Sequence, residues 1–169
     1  MKIIRLLPII CMLIITGINK AAAFDEPANR LILKGLKDFI VAVQCSDDTK
    51  KYGLSEYEIQ SDIELKLRMA GIKVVRKQEI NDPDTAGLVA IVDVYDRPEN
   101  NHVLAFNIHL GVAQHVSLLR NNSIQVMTDT WALGRLGTVG SDNIRMLRDN
   151  VKDLADQFIN AYLAANSKP

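Results

Sequence analysis

A long run of alternating apolar side chains, within residues 102–119, constrains the fold of this chain more than any other feature. Large apolar residues at every second position share one face, namely Leu104, Phe106, Ile108, Leu110 and Val112. A period of two predicts a β-strand with one buried face. The length of the run also predicts a bend or bulge near Gly111.

The segments around this strand predict an antiparallel meander. Residues 88–95 are rich in β-branched side chains, and residues 124–133 return to a strand pattern after a polar turn at 120–123. Residues 134–140 carry a glycine at every third position and predict a loop. Nearer the amino end, residues 36–45 predict a further strand.

Two segments have helical periodicity. The first begins at Ser55, where Ser55 and Glu58 have the spacing of a capping box, and it ends at Gly71. Residues 72–75 then predict a short strand. The second helix is expected to run from Ser141 to about Ala165, with an apolar stripe along one side.

The predicted element order is therefore β-α-β-β-β-β-α. We expect an α+β fold: a two-layer sandwich of a mostly antiparallel sheet with two amphipathic helices that cover one sheet face. The 169 residues show no internal repeat, and residues 24–169 are expected to form a single domain.

The first 23 residues have the layout of a secretory signal peptide. Lys2 and Arg5 precede an uncharged apolar run at 6–16, and three alanines allow cleavage after Ala23. The run is shorter than the roughly 20 residues that span a bilayer. Ile10 before Cys11 is not the small residue of a lipid-attachment motif. We expect a periplasmic or secreted protein without a stable membrane anchor.

Cleavage changes the charge and the thiol content. The whole chain has 20 basic and 20 acidic residues, and the leader removes three of the basic ones, which leaves 146 residues with a net charge of −3. A mildly acidic chain argues against nucleic acid as a partner. Cys45 alone remains, in an apolar stretch, so we expect a small buried side chain. The alternative is an intermolecular disulfide or a reactive thiol.

Residues 55–75, SEYEIQSDIELKLRMAGIKVV, carry a family-like pattern of a helix that ends at glycine and feeds a strand. This pattern resembles exported bacterial domains of unassigned function. It is also distantly similar to the N-terminal domain of the Tol–Pal protein TolB and to the curli secretion lipoprotein. The resemblance implies an envelope protein that binds or assembles and does not catalyse.

The glycine segment at 134–140 is the first candidate site. It leads into the second helix, whose amides would attract an anion, and Trp131 lies just before it. The candidate ligand-binding residues are Trp131, Gly134, Arg135, Gly137, Thr138, Gly140 and Ser141. The spacing matches no known phosphate-binding motif, so a plain strand-to-helix connection capped by Ser141 is the alternative.

A possible polar face includes histidines. His109 and His115 share strand parity, and a register pairing residue 115 with residue 129 would place Asp129 opposite His115. The two histidines are about 20 Å apart along a straight strand, too far to share one metal. We therefore expect no metal, no cofactor and no catalytic residue.

Three functions remain open. The first is a binding or assembly module without catalysis, whose uncovered sheet face carries Asn107, His109, Gln125, Asp129 and Trp131. The second is a small hydrolase or an anion- or ligand-binding protein that uses the glycine segment and Trp131. The third is a structural subunit that self-associates through an edge strand. The expected partner is an envelope protein or a second copy.

Overall fold

The computed structural model describes residues 27–76, 84–96, 99 and 102–167. The strands are β1 (Asp38–Cys45), β2 (Lys73–Val74), β3 (Thr85–Tyr95), β4 (Val103–Leu118) and β5 (Asn121–Gly140). The helices are α1 (Pro27–Arg30), α2 (Asp47–Lys51), α3 (Glu56–Met69) and α4 (Met146–Asn166). Short 3₁₀ turns occupy Leu31–Leu33 and Ser141–Asn143. The predicted signal peptide lies outside the described residues.

The five strands form one mixed sheet in the order β2-β1-β3-β4-β5. Strand β1 is parallel to β2 and β3, whereas β3, β4 and β5 are antiparallel neighbours. The α+β class and the predicted meander are confirmed. The parallel pairs arise because α2, α3 and β2 lie between β1 and β3 in sequence, which gives the chain room to cross back over the sheet.

The end of α3 follows the predicted glycine stop. Gly71 has φ +77°, a left-handed conformation that glycine adopts without steric cost. The amide of Ile72 donates to the carbonyl of Leu67 at 2.9 Å, and the Gly71 amide donates to Arg68 at 3.0 Å, which together form a Schellman motif. At the other end, Ser55 is the N-cap residue, but its hydroxyl makes no capping hydrogen bond, so the predicted capping box is wrong.

One sheet face and the helices enclose the core. Ile59, Ile63 and Leu67 of α3 are at most 1% exposed, and Phe158 of α4 is fully buried. The Phe158 ring meets Phe39 of β1 edge-on, with centroids 5.2 Å apart. The two helices are also joined by charge, since Arg148 of α4 donates to the Asp62 carboxylate of α3. The arginine lowers the pKa of Asp62 below its ordinary value.

Strand β5 includes the segment that the sequence predicted as a loop. Residues 134–140 pair with β4 along their whole length, from His109↔Gly134 to Val103↔Gly140. The long β4 offers partners to every one of these residues, and this pairing outweighs the local preference of glycine for turns. The predicted capping of the last helix by Ser141 is also wrong, because Ser141 belongs to a 3₁₀ turn and α4 begins at Met146.

A β-bulge interrupts β5 near the position where the sequence predicted one. Val112 pairs with Trp131 and Ala113 pairs with Asp129, so Thr130 is an extra residue on β5. The bulge was expected near Gly111 of β4 and is found on the facing strand. An inserted residue reverses the alternation of side chains beyond it. Consequently Asp129 and Trp131, which are two residues apart, point to opposite sheet faces.

Candidate functional site

The part of the β4–β5 hairpin that lies nearest its turn extends past the rest of the sheet, and we call this part, residues 114–128, the arm. Strand β3 pairs with β4 only as far as Gly87↔Ala113, so within the described residues the arm strands pair only with each other. At the base of the arm, the Gln114 side-chain amide donates to the Thr130 hydroxyl at 2.7 Å. That hydroxyl donates to the Val112 carbonyl at 3.1 Å. These bonds fix the arm to the bulge.

The arm exposes apolar side chains. Leu119 at its turn is fully exposed, and Ile124, Val126 and Met127 are 40%, 42% and 50% exposed. Val116 pairs directly with Val126 on the side of the arm that continues the helix-covered face. Arg120 is the one Lys, Arg, Asp or Glu among residues 114–128. Charged side chains normally protect exposed strands from pairing with other chains, and this arm has almost none.

The sheet face opposite the helices is the second exposed surface, and we call it the uncovered face. Its central residues are small or β-branched, in register as Ala42↔Val89, Val89↔Gly111 and Gly111↔Ala132. Ala42 is exposed, while Val89 and Ile91 are half-buried. Among the described helices, those long enough to form a layer bury their apolar sides in the core on the other face. The uncovered face is therefore a shallow, largely uncharged surface.

A histidine–aspartate pair spans this face. His109 Nε2 lies 2.7 Å from Asp129 Oδ2, with the two side chains reaching over Gly111 from neighbouring strands. A Cβ atom on Gly111 would lie 2.6 Å from that oxygen and 2.7 Å from that nitrogen. The absence of a side chain at residue 111 is what lets the pair form.

The predicted partner of Asp129 was a different histidine. His115 pairs with Met127, so the predicted register of 115 with 129 is wrong by two residues. The turn comes at residues 119–120, earlier than the predicted turn at 120–123, and a second register shift, between Ser117 and Leu118, skips residues 122–124 of β5. Together these two changes leave the pairing of His115 two residues away from the predicted one. Asn107, His109, Gln125 and Asp129 lie on the uncovered side as predicted by parity.

Trp131 lies on the covered side, because of the bulge at Thr130. It is 1% exposed and packs edge-on against Phe158, with centroids 5.4 Å apart. Its Nε1 atom is buried and makes no hydrogen bond to the described residues. The placement of Trp131 on the uncovered face is therefore wrong, and the indole is not available to stack on a surface ligand.

The other residues of the glycine segment do not converge on one surface. Gly134 lies on the uncovered side, and Gly137 faces the Phe106 ring on the covered side. The Arg135 guanidinium donates to Asn150 at 2.6 Å and to Asp153 at 3.2 Å. Because helix α4 holds this cation, Arg135 is not directed at a ligand.

Thr138 and Gly140 do line a shallow depression at the start of α4. Asp142 and Asp149 line it as well, together with the single cation Arg145. Two carboxylates against one guanidinium disfavour an anion. Ligand binding by Thr138, Gly140 and Ser141 stays a prediction.

The thiol is buried. Cys45 is 4% exposed and free, and burial raises its pKa to about 11, with the Glu56 carboxylate adding to the effect. The thiol is thus protonated at neutral pH, which disfavours a nucleophilic role. This confirms the expected small buried side chain.

Chemistry on the described residues is sparse. No group of three or more histidine, cysteine, aspartate or glutamate side chains among them could hold a metal ion. Among the same residues, the His109 side chain hydrogen-bonds to Asp129, and no hydroxyl or thiol lies in hydrogen-bond contact with this pair to act as a nucleophile. No helix in the described ranges is long and apolar enough to cross a bilayer.

The exposed apolar residues of the arm were missed by the sequence reasoning. A usable signal was present, because the predicted strand at 102–119 is far longer than its predicted neighbour at 88–95. A strand that outruns its neighbour in an antiparallel sheet must continue without it. The apolar alternation at Val116 and Leu118 therefore pointed to side chains that the rest of the sheet does not cover.

No protein-family model matches this chain, and no curated protein matches it. A PelC dodecamer from Paraburkholderia phytofirmans is similar at 15% identity and a TM-score of 0.44, over 76% of this chain and 89% of that one. A minor lipoprotein from Acinetobacter baumannii is similar at 13% identity and a TM-score of 0.35, over 80% and 99%. Neither is TolB or the curli secretion lipoprotein, so that resemblance stays a prediction. With both TM-scores below 0.5, nothing is carried over from these proteins.

Proposed function

We propose that this chain is an exported assembly module that binds a protein partner in the cell envelope through its arm. The observation that carries the proposal is the extension of β4 and β5 past β3, with Leu119 fully exposed and Val126 42% exposed. A two-stranded hairpin is marginally stable in water. A partner that covers its apolar side would stabilise it and remove that surface from water.

Three further features support this function. The signal peptide at residues 1–23 favours export, and the net charge of −3 after its removal disfavours nucleic acid. The His109–Asp129 pair has neither a nucleophile nor a third metal ligand beside it among the described residues. The arm and the uncovered face are therefore better suited to contact with another molecule than to catalysis.

Photo-crosslinking in the native envelope tests the proposal. The photoreactive residue benzoylphenylalanine replaces Val126 in the arm or, as the control, Leu163 of α4, which is 45% exposed and therefore matched in accessibility. Irradiation is expected to give a discrete protein adduct from position 126 and none from position 163. Equal labelling at both positions, or an adduct from neither, contradicts an arm-mediated partner.

A further inference from the structure

We propose that the partner of the arm is the uncovered face of a second copy of this chain, so that copies associate head to tail. The inference rests on the proposed function and names the partner and the surface that receives the arm. One molecule carries both halves of this contact, and its own geometry prevents them from meeting.

The donor surface is one side of the arm. Val116 and Val126 pair across the two strands, and Ile124 has the same parity as Val126. These are β-branched side chains on a protruding ribbon, and Ile124 is 40% exposed. Their side of the ribbon continues the helix-covered face. The arm therefore cannot fold its apolar side onto the uncovered face of its own sheet.

The receiving surface complements this ribbon in shape and polarity. Ala42 and Ala132 are small residues in the row that includes Val89, whereas the His109–Asp129 pair covers Gly111 in the same row. Large side chains of another molecule can therefore approach the sheet closely at Ala42 and Val89. Ile91 lies two residues further along β3, in register with His109. Sheet surfaces pack at about 10 Å when their apolar side chains interdigitate, and the part of this row at Ala42 and Val89 leaves space for that.

Charge favours the same pairing. The uncovered side of the four long strands carries the carboxylates Asp38, Asp93 and Asp129 and no lysine or arginine, and Lys73 of the short neighbouring strand β2 forms an ion pair with Asp38 at 3.0 Å. The arm carries a single charge, the Arg120 guanidinium at its exposed turn. A cationic tip that approaches the end of this face with Asp93 and Asp129 is attracted by their carboxylates.

A contact between two different surfaces is heterologous, so every copy can both give an arm and receive one. The contact area is modest, because the arm is two strands wide, about 10 Å, and about 17 Å long from residue 114 to its turn. Stable interfaces commonly bury about 800 Å² per partner. We therefore expect an association that is concentration-dependent and is reinforced when several copies join.

A mixing experiment with two variants of the exported chain tests the arm-on-face contact. The arm variant is Ile124→Lys with Val126→Lys, and the face variant is Val89→Lys. Mass is measured by light scattering and sedimentation from about 1 µM to about 500 µM, a range that brackets a micromolar association. The wild type should exceed the mass of one chain as concentration rises. Each variant alone should stay at the mass of one chain.

An equimolar mixture of the two variants should recover a species of two chains and nothing larger. The face variant still has an intact arm, and the arm variant still has an intact face, so one contact forms and no further one. The control Gln125→Lys places the same charge on the other side of the arm and should assemble like the wild type. Ala42→Lys, at an exposed position beside Val89, repeats the face test if Val89→Lys unfolds the protein.

Three results would overturn the inference. Assembly of both face variants like the wild type would indicate arm-on-arm or edge-strand pairing. Assembly of the arm variant alone would exclude the arm as the donor. A wild type that remains one chain at every concentration would exclude a second copy. In that last case, an adduct to a different protein from position 126 would leave the proposed function standing.

Discussion

The two halves of the β4–β5 hairpin have the same alternating pattern and different surroundings. In the upper half, Phe106, Ile108 and Leu110 are at most 6% exposed, because α4 and the rest of the core lie against them. In the arm, Ile124 and Val126 have the same β-branched or apolar character and are about 40% exposed. Alternation thus reports which side of a strand is apolar, and it does not report whether anything covers that side.

The boundary between the halves coincides with the bulge. Above Thr130 the hairpin is paired on its β3 side and covered by helices, and below it the described strands pair only with each other. Bulges commonly occur where a sheet must bend or where pairing ends. The difference teaches that the arm is stabilised locally by few contacts, while the upper half shares the stability of the whole core.

The largest expected effect comes from the covered half. Phe158→Ala removes a fully buried ring that contacts both Phe39 and Trp131, and it should lower the free energy of unfolding by about 3 to 5 kcal/mol. Val126→Ala in the arm should cost at most about 1 kcal/mol, because that side chain is 42% exposed. Urea unfolding at low protein concentration measures both.

Similar losses for Phe158→Ala and Val126→Ala at low concentration would mean that the arm of a single chain is already covered. The comparison between the two halves would then fail. A loss for Val126→Ala that grows with protein concentration would instead sharpen it, since coverage would come from a second molecule.

Two glycines of the segment 134–140 distinguish covered from open positions on β5. A Cβ on Gly137 would lie 3.0 Å from Cζ of the buried Phe106 ring, whereas a Cβ on Gly140 would have its nearest neighbour, Asn143 Nδ2, at 4.0 Å. Gly137→Ala should therefore cost about 1 to 3 kcal/mol through overpacking. Gly140→Ala, whose φ of −68° suits alanine, should change stability by less than about 0.5 kcal/mol.

Thermal melts of the two alanine variants test this expectation. Equal melting temperatures would show that Phe106 moves aside without cost. A loss of stability at Gly140 alone would reverse the assignment of covered and open positions. The Gly137 result also bears on the ligand hypothesis, because a glycine needed by a buried ring has a structural reason to be there.

The periodic parts of the fold were predictable from sequence. The helix ending at Gly71 and the buried faces of β3 and β4 follow from spacing and capping, which depend on neighbouring residues. The path of β5 through residues 134–140 was not predictable in this way, because its local glycine signal competes with pairing to a distant strand. The start of α4 at Met146 was also not predicted, because the helical pattern begins at Ser141, where the chain forms a 3₁₀ turn before the α-helix.

The candidate surface was predictable in part. Parity placed Asn107 and His109 on the uncovered side, since no bulge lies between them on β4. It failed at Trp131 because one extra residue, Thr130, reverses the faces of everything beyond it. It also failed to find the partner of Asp129, because the register of a hairpin depends on the position of its turn. A bulge or a shifted turn changes the residue count at one place, and a periodic pattern measured over a whole strand does not detect such a local change.

After Phe158→Ala and Gly137→Ala, the next smaller destabilisation is expected at the joint between the two halves. Gly111→Ala places a methyl group where the His109–Asp129 pair crosses, 2.6 Å from the carboxylate oxygen. Both polar atoms are at the ends of side chains, so they can move apart, and the cost is about the loss of one hydrogen bond, 0.5 to 1.5 kcal/mol. Gly87→Ala on the same face is the control, because its Cβ would meet neighbours at ordinary distances of 3.7 Å and more.

A background that lacks both polar side chains isolates the cause. With His109→Ala and Asp129→Ala in place, Gly111→Ala should no longer destabilise the protein, and it should stabilise it by up to about 0.5 kcal/mol because alanine loses less entropy than glycine in a strand. Urea unfolding of the four proteins that complete this cycle gives the coupling energy directly. A cost for Gly111→Ala that persists in the doubly substituted background would place the constraint in the backbone at the bulge and not in the His109–Asp129 pair.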